Sequence, residues 1–107
     1  MQKKYIGTRL PDNTTRVMVK NGYLTYPLGI CSDVVDFSSN FEWGFGGSGP
    51  TQLSACLLID YFPIIACHPD GLPFETIGKL KEQLISKLPR DNFTITTQDL
   101  KDAIANG

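Results

Sequence analysis

The chain has 107 residues, of which 41% are hydrophobic and 20% charged, and its formal net charge is −1 at pH 7. This length and composition predict one globular domain with one hydrophobic core and exclude a disordered polypeptide. The near-neutral charge and the scattered lysines and arginines argue against general nucleic-acid binding. The longest apolar run, residues 57–66, is interrupted by Asp60 and Pro63 and is too short for a membrane span, so no membrane partner is expected.

Three cysteines are present, which is an odd number, and their spacing is not that of a disulfide framework. A reducing cytoplasm is the simplest setting for such a chain. Cys56 is predicted to be a small buried hydrophobe on an apolar helix face. Cys67 and His68 are neighbours, but without paired ligand spacing they predict neither a zinc site nor a catalytic pair. We therefore expect no metal, no cofactor and no catalytic residue, and an enzyme is the least favoured reading.

The first third of the chain predicts a meander of strands. Lys4–Arg9 is a candidate strand, and Pro11-Asp12-Asn13 is typical of the turn that ends it. Arg16–Lys20 then alternates between apolar and polar residues. Asn21-Gly22 tolerates the two positive φ angles of a type I′ turn, so it predicts a hairpin that continues into a strand at Tyr23–Tyr26.

The centre of the chain predicts a short strand, a glycine-rich loop and a helix. Phe41, Trp43 and Phe45 alternate with other residues and would share one face of the strand. Pro50 suits the first position of a helix, with Ser48 or Gly49 as its cap and Gln52 completing a capping box. The helix would end before Pro63.

The last third predicts a second helix from about Pro73 to Pro89, with its apolar residues at helical spacing. Phe93–Thr96 reads as a strand, and Thr96-Thr97-Gln98-Asp99 fits the capping signal of a short final helix. The predicted fold is therefore α+β. It consists of a largely antiparallel sheet of about four to five strands, with two longer helices and a short C-terminal helix packed on it.

The glycine-rich loop is the most function-like feature of the sequence. Consecutive glycines let backbone amides approach a ligand, and a helix start favours an anion such as phosphate. The spacing fits neither a Walker loop nor a dinucleotide fingerprint. The alternative is a tight turn that needs glycine only to fit. The candidate ligand-binding residues of this region are Gly46, Gly47, Ser48, Gly49, Thr51 and Gln52.

Three further side chains could complete such a site. Trp43 could stack on a base or another planar ring, with Tyr23 or Tyr26 nearby, although filling the core is the alternative role. Glu42 would lie on the opposite face of its strand, either solvated or hydrogen-bonded to a ligand. Arg9 would face Arg16 across the first turn and could supply charge for a phosphate, although exposed strand arginines more often only increase solubility.

The run Phe41-Glu42-Trp43-Gly44-Phe45-Gly46-Gly47-Ser48-Gly49-Pro50-Thr51-Gln52-Leu53 resembles the signature of a small domain-of-unknown-function family of phages, plasmids and bacteria, number six thousand one hundred and sixty-six. The resemblance extends to Tyr5-Ile6-Gly7, to Val17-Met18-Val19 and to Phe93-Thr94-Ile95-Thr96, and so covers most of the chain. Phe45 stands where the signature has tyrosine. The resemblance implies a short intracellular phage-associated protein that acts against host defence.

Two functional hypotheses follow. The first is a non-enzymatic binder, expected to be a homo-oligomer, that sequesters a phosphorylated or nucleotide-like small molecule at the glycine-rich loop. The second is an inhibitor of a host defence protein, comparable to an anti-CRISPR protein, that binds through a sheet edge or an aromatic patch. An enzyme would have to depend on Glu42, Ser48 or His68.

Overall fold

The computed structural model describes residues 2–31, 36–63 and 73–105. Within them the fold is α+β, as predicted, with one four-stranded antiparallel sheet in the order β3-β2-β1-β4. The strands are β1 (Lys4–Arg9), β2 (Thr15–Asn21), β3 (Leu24–Pro27) and β4 (Phe93–Thr96). Because β4 pairs with β1, the first and last strands of the described chain are neighbours, and β4 forms one edge of the sheet.

Three helices accompany the sheet: α1 (Ser48–Tyr61), α2 (Phe74–Gln83) and α3 (Thr97–Ala105). The predicted second helix was too long, because α2 ends at Gln83 and a separate 3₁₀ turn follows at Ile85–Lys87. Leu84 lies between them with φ −131°, outside the helical range, so the apolar spacing continues while the helix does not. None of the helices in the described part of the chain has the length and apolar character needed to cross a membrane.

The hairpin between β2 and β3 is confirmed, but its turn lies one residue later than predicted. Asn21 still pairs with Leu24, so the two connecting residues are Gly22 and Tyr23. Only Gly22 has positive φ, at 65°. A positive φ at the first central position alone is the pattern of a type II′ turn, which needs glycine there, and not of type I′.

The capping signal of α3 is confirmed in the structure. The Thr96 amide donates to Asp99 Oδ2 at 2.8 Å, and the Asp99 amide donates to Thr96 Oγ1 at 3.3 Å. These reciprocal bonds satisfy two backbone donors at the helix start, as in a capping box. The Thr97 amide is bonded in turn to the Lys3 carbonyl, which ties the helix start to the beginning of β1.

The strand predicted at Phe41–Phe45 was wrong, because this segment pairs with no described strand and bends at Gly44 and Phe45. Its backbone groups have other partners: Thr15 Oγ1 donates to the Phe41 carbonyl at 2.6 Å, and the Gly44 amide donates to the Ile85 carbonyl at 3.0 Å. Gly44 has φ 84°, which breaks the alternation of side chains. Phe41 and Trp43 are therefore buried, whereas Phe45 is 40% exposed.

The helices cover one face of the sheet. Along each strand, alternate residues point into the core, and those on the helix side are buried: Tyr5, Val17, Val19, Phe93 and Ile95. The opposite face carries no helix of the described chain. Leu53 and Leu57 of α1, Ile77 and Leu80 of α2 and Leu100 of α3 complete the core. The described part of the chain is thus a two-layer arrangement in which none of its helices covers one face of the sheet, which we call the open face.

Cys31 and Cys56 form a disulfide that joins the segment after β3 to the middle of α1. Cys56 is 2% exposed, so its predicted burial is confirmed. The cysteine spacing did not indicate this bond, because the two residues are 25 positions apart in the chain and come together only on folding. A disulfide is uncommon in a reducing compartment, so it does not favour the setting inferred from the cysteine count. Cys67 and His68 lie outside the described residues.

Candidate functional site

The start of α1 differs from the predicted one in its cap. Gly47 is the N-cap, with φ 141° and ψ −170°, and Pro50 is the third helical residue instead of the first. Only the amides of Ser48 and Gly49 then lack an acceptor within the first turn, because proline has no N–H and the Thr51 amide bonds to the Gly47 carbonyl. The helix start therefore offers two amide donors, fewer than a complete first turn provides.

The glycines of the motif differ in why the structure requires glycine at each position. A Cβ on Gly49 would lie 2.7 Å from Cβ of Glu42, so Gly49 is required for the close packing of α1 on the preceding segment. Gly47 needs its positive φ, which few side chains tolerate. A Cβ on Gly46 would meet nothing within 4 Å. Gly46 is thus the one of these three that the fold itself does not demand.

Arg9 and Glu42 form a two-point ion pair. The Arg9 Nη2–Glu42 Oε1 distance is 2.7 Å and the Nη1–Oε2 distance is 3.3 Å, with the side chains only 10% and 17% exposed. Arg9 Nε also donates to the Arg90 carbonyl at 2.7 Å. The hydrogen bond to Glu42 raises the pKa of Arg9 further. In this structure Arg9 and Glu42 therefore bind each other, in place of the predicted contacts of Arg9 with a phosphate and of Glu42 with solvent or a ligand.

The predicted pairing of the two arginines was also wrong. Arg9 lies opposite Thr15, and Arg16 lies opposite Thr8, one position away in register. Since side chains alternate along a strand, this shift of one places Arg9 on the helix side and Arg16 on the open face.

Trp43 is completely buried, with 0% of its surface exposed. Its Nε1 donates to the Arg90 carbonyl at 3.1 Å, and its ring meets Phe93 edge-on with centroids 4.7 Å apart. The Arg9 guanidinium lies over the ring, 5.1 Å from its centroid. A ring enclosed in this way cannot stack on a ligand, so the core-filling alternative holds for Trp43. Tyr23 and Tyr26 do not join it, because Tyr23 is exposed at the hairpin turn and Tyr26 bonds to Asp60.

Gln52 and Thr51 have internal roles as well. Gln52 is 0% exposed, and its Oε1 accepts the Phe37 amide at 2.7 Å while its Nε2 donates to the Ile30 carbonyl at 2.6 Å. It therefore fixes the segment that precedes the motif and does not complete a capping box. Thr51 Oγ1 donates to the Gly47 carbonyl at 2.7 Å. The predicted ligand contacts of Gln52 are excluded in this conformation by its burial.

What remains exposed of the predicted site is the loop of residues 45–48, which we call the exposed loop. Gly46, Gly47 and Ser48 are exposed, and the Phe45 ring lies 3.5 Å from the Cβ position of Gly47. The Arg90 guanidinium is 5.5 Å from the Phe45 ring centroid. No carboxylate of the described residues forms a salt bridge with Arg90. Sequence reasoning missed Arg90 because it lies far along the chain, in the segment before β4.

A second group of bonded polar side chains, besides the Arg9–Glu42 pair, lies near the first residues of β1, and the sequence did not predict it. It consists of Lys3, Tyr5, Tyr26 and Asp60, and we call it the Asp60 cluster. Asp60 Oδ2 accepts from the Tyr5 hydroxyl at 2.8 Å and from Lys3 Nζ at 3.1 Å, while Oδ1 accepts from the Tyr26 hydroxyl at 2.8 Å. Burial, then the hydrogen bond to Asp60, raises the pKa of Tyr5 far above its usual value. Burial lowers the pKa of Lys3, but its bonds to Asp60 outweigh this, so the net shift is upward. The signal that could have revealed the cluster is the single carboxylate that interrupts an apolar helix.

A shallow cavity of about 300 Å³ lies beside this second cluster, lined by Gln2, Lys3, Tyr61, Thr97 and Lys101. The Lys3 ammonium is already held by Asp60 and the Tyr26 hydroxyl, and the Thr97 hydroxyl accepts the Lys3 amide. The Lys3 ammonium and the Thr97 hydroxyl, which line this cavity, therefore already have hydrogen-bond partners within the chain. Among the described residues, no three His, Cys, Asp or Glu side chains are grouped so that they could hold a metal ion.

The chain matches a known protein family. The model of a family described as a family of unknown function (DUF6166) matches residues 5–106. No curated protein and no solved structure matches the chain. The match spans the Arg9–Glu42 ion pair, the glycine-rich motif, the Asp60 cluster except Lys3, and all four strands except the first residue of β1.

Proposed function

We propose that this chain, which belongs to the DUF6166 family of unknown function, is a non-enzymatic binding module that holds a phosphorylated or nucleotide-like small molecule at the exposed loop of residues 45–48. Arg90 supplies the positive charge, and the Phe45 ring supplies a flat apolar surface. This replaces the predicted set of contacts, in which Arg9 and Trp43 had these two roles. The proposed site is still at the glycine-rich loop, but Arg90 and Phe45 take the place of Arg9 and Trp43.

One observation carries the proposal: exposed backbone, an exposed ring and a guanidinium occur together at a helix start. The amide of the exposed residue Ser48 lacks an acceptor within the first turn, and the positive end of the helix dipole favours an anion there. Arg90 lies against the Phe45 ring at 5.5 Å. A phosphate on the Ser48 amide and the Arg90 guanidinium would leave a planar group of the same ligand free to contact Phe45.

The module would act by sequestration, because the proposed contacts bind and orient a ligand without supplying an acid, a base or a nucleophile. In the phage setting that the motif implies, the ligand would be a host defence signal. We expect a homo-oligomer in which two copies bind one ligand, because the exposed loop of one copy alone provides only a small contact surface.

The test is thermal unfolding of the purified protein with inorganic phosphate, mononucleotides and cyclic nucleotides, followed by calorimetry of any ligand that raises the midpoint. Binding to the native state alone raises stability by mass action, by about 2.7 kcal/mol at a hundredfold excess over Kd. Arg90→Gln and Phe45→Leu should each weaken binding about tenfold or more, whereas Lys87→Gln, a matched loss of one charge nearby in sequence, should not. If no nucleotide shifts the midpoint and native mass spectrometry of protein from infected cells shows no bound small mass, the proposal fails.

A second candidate function rests on a different observation, an exposed pair of aromatic rings. Phe37 and Phe74 are 39% and 59% exposed, and their centroids lie 6.1 Å apart in an edge-to-face arrangement. They come from distant parts of the chain, and Gln52 holds the Phe37 amide in place. Exposed aromatic groups of this kind are typical of protein interfaces, which fits the alternative of an inhibitor that binds a host defence protein.

This alternative is tested by the double variant Phe37→Ser/Phe74→Ser. It should lose a protein that co-purifies with the wild-type chain, whereas Arg90→Gln should retain it. Tyr23→Ser/Leu24→Ser is the matched control, because it removes two exposed apolar side chains at the hairpin turn instead. Loss of the partner with both double variants would mean that general surface hydrophobicity, and not this ring pair, is responsible.

A further inference from the structure

The open face of the sheet has a defined pattern of side chains that neither the exposed loop nor the aromatic pair uses. The register places side chains in rows across the strands. The first row is Thr25, Lys20, Lys4 and Thr96; the second is Pro27, Met18, Ile6 and Thr94; the third is Arg16 and Thr8. An apolar row is thus bordered on both sides by rows that carry positive charge.

The charges on this face are unbalanced within the described chain. Its ten strand positions hold three cations, Lys4, Lys20 and Arg16, and no carboxylate, although the whole chain has a net charge of −1. None of the three forms a salt bridge with a described residue. The Asp99 carboxylate, which follows β4 in the chain, accepts from the amide and hydroxyl of Thr96 and so caps α3.

Lys4 and Lys20 are direct cross-strand partners. Like charges in that position destabilise a sheet, and the effect is usually relieved by an opposite charge next to them. Here both neighbours in the row are threonines. The fold therefore keeps an unfavourable pair at an exposed position where uncharged residues would serve its own stability better.

We propose that the open face binds an acidic amphipathic segment of a partner protein, whose apolar side chains lie on the Ile6–Met18–Pro27 row and whose carboxylates pair with Lys4, Lys20 and Arg16. Helices already cover the other face of the same sheet, so a partner helix here would complete a three-layer arrangement. Carboxylates on either side of an apolar stripe match the two charged rows in both sign and order.

Two other occupants fit the face less well. A second copy of this chain in the same orientation would bring cations against cations, which opposes association. Nucleic acid would gain three charge contacts, but the face offers no aromatic side chain for base stacking, and its central row is apolar. The Ile6 and Met18 side chains are half-buried, so they provide the apolar contact that a peptide requires and a phosphate backbone does not.

The test uses a synthetic amphipathic peptide of about four helical turns, built of leucine and glutamate with a fluorescent label. Titration is followed by anisotropy, and amide NMR shifts locate the binding. We expect shifts at Thr8, Met18, Lys20 and Thr94, and binding that weakens between about 50 mM and about 200 mM salt. Lys4→Gln/Arg16→Gln/Lys20→Gln should lower the affinity about tenfold or more. Lys79→Gln/Lys81→Gln/Lys87→Gln removes the same total charge from the helical side and should leave it within about twofold.

Five results would overturn the proposal. The first is that the peptide does not bind at millimolar concentration. The second is that a peptide with lysine in place of glutamate binds equally well. The third is that both triple variants lose the same amount of affinity for the peptide. The fourth is a labelled single- or double-stranded oligonucleotide that binds more tightly than the peptide and shifts the same amides. The fifth is a concentration-dependent dimer that buries this face, detected by sedimentation and by loss of the same amide signals. Unchanged far-UV dichroism of both triple variants confirms that folding is not the cause.

Discussion

The two ends of β1 each carry a polar cluster, and the two clusters differ in how visible they are in the sequence. At the Arg9 end, Arg9 pairs with Glu42 of the glycine-rich motif, and its guanidinium lies over the Trp43 ring of the same motif. At the Lys3 end, Asp60 gathers two tyrosine hydroxyls and an ammonium from residues that no motif connects. Both clusters tie the sheet to the segments packed on it.

This comparison teaches that a conspicuous motif can serve the fold more than a ligand. Of the nine residues predicted to bind, Arg9, Glu42, Trp43, Gly49 and Gln52 are used in internal contacts, and Thr51 bonds to the cap carbonyl. Only Gly46, Gly47 and Ser48 are left at the surface. The specificity of the motif therefore reflects the close packing of a loop and a helix, and the proposed site is limited to its exposed part.

The largest expected effect on stability comes from replacing Trp43, the buried ring beneath the Arg9 guanidinium. Trp43→Ala should lower the free energy of unfolding by about 3–5 kcal/mol, because it removes a fully buried ring and leaves a cavity. Phe45→Ala is the control, since that ring is 40% exposed, and it should cost less than about 1 kcal/mol. Urea denaturation measures both. Similar losses for the two variants would show that Trp43 does not have the special place assigned to it.

The ion pair should have the next largest effect. Glu42→Gln keeps the packing of the side chain against Gly49 but leaves the Arg9 charge unpaired, so we expect a loss of about 2 kcal/mol. The value is below that of a fully buried pair because both side chains are partly exposed to solvent. A double-mutant cycle with Arg9→Met isolates the pairwise energy. A coupling energy near zero would contradict the structural role of the pair.

The glycines allow a matched test within the motif. Gly49→Ala should destabilise by about 1.5 kcal/mol, because the new Cβ collides with Glu42 Cβ and outweighs the gain in helix propensity. Gly46→Ala should change stability by less than about 0.5 kcal/mol, because its Cβ would enter open space. Thermal unfolding distinguishes them. If Gly46→Ala proves the more harmful substitution, the loop is not arranged as described.

The smallest expected effect on stability concerns the Asp60 cluster, and it depends on pH. The pKa values of Tyr5 and Lys3 are raised in the folded state, so both groups hold their protons more tightly there than in the unfolded chain. Their contribution is complete below the ordinary values near about 10 and is lost as the pH rises above them.

Tyr5→Phe should therefore cost about 1 kcal/mol at about pH 7 and reduce the further loss seen at about pH 11. The measurement is the urea midpoint at both pH values, and Tyr23→Phe, at the fully exposed tyrosine of the hairpin turn, is the control. A loss of stability at alkaline pH that is unchanged in Tyr5→Phe would show that other groups cause it.

Local patterns in the sequence were sufficient for most of the secondary structure. The proline turn and the alternating residues predicted β1 and β2, and the Thr96–Asp99 signal predicted the start of α3, because each depends on neighbours within four residues. The same local reasoning placed a strand at Phe41–Phe45. It failed there because a strand also needs a partner, and the Phe41 and Gly44 backbone groups bond instead to Thr15 and Ile85.

By itself, therefore, the sequence determined the α+β class, the order of most elements and the position of the glycine-rich helix start, all of which follow from short-range periodicity and turn chemistry. Only the tertiary structure decided what each polar side chain contacts. The ion pair of Arg9 spans 33 residues, the Asp60 cluster spans up to 57, and the disulfide spans 25. Contacts between residues so far apart depend on how the layers pack and on strand register, where a shift of one residue exchanges the buried face for the open one.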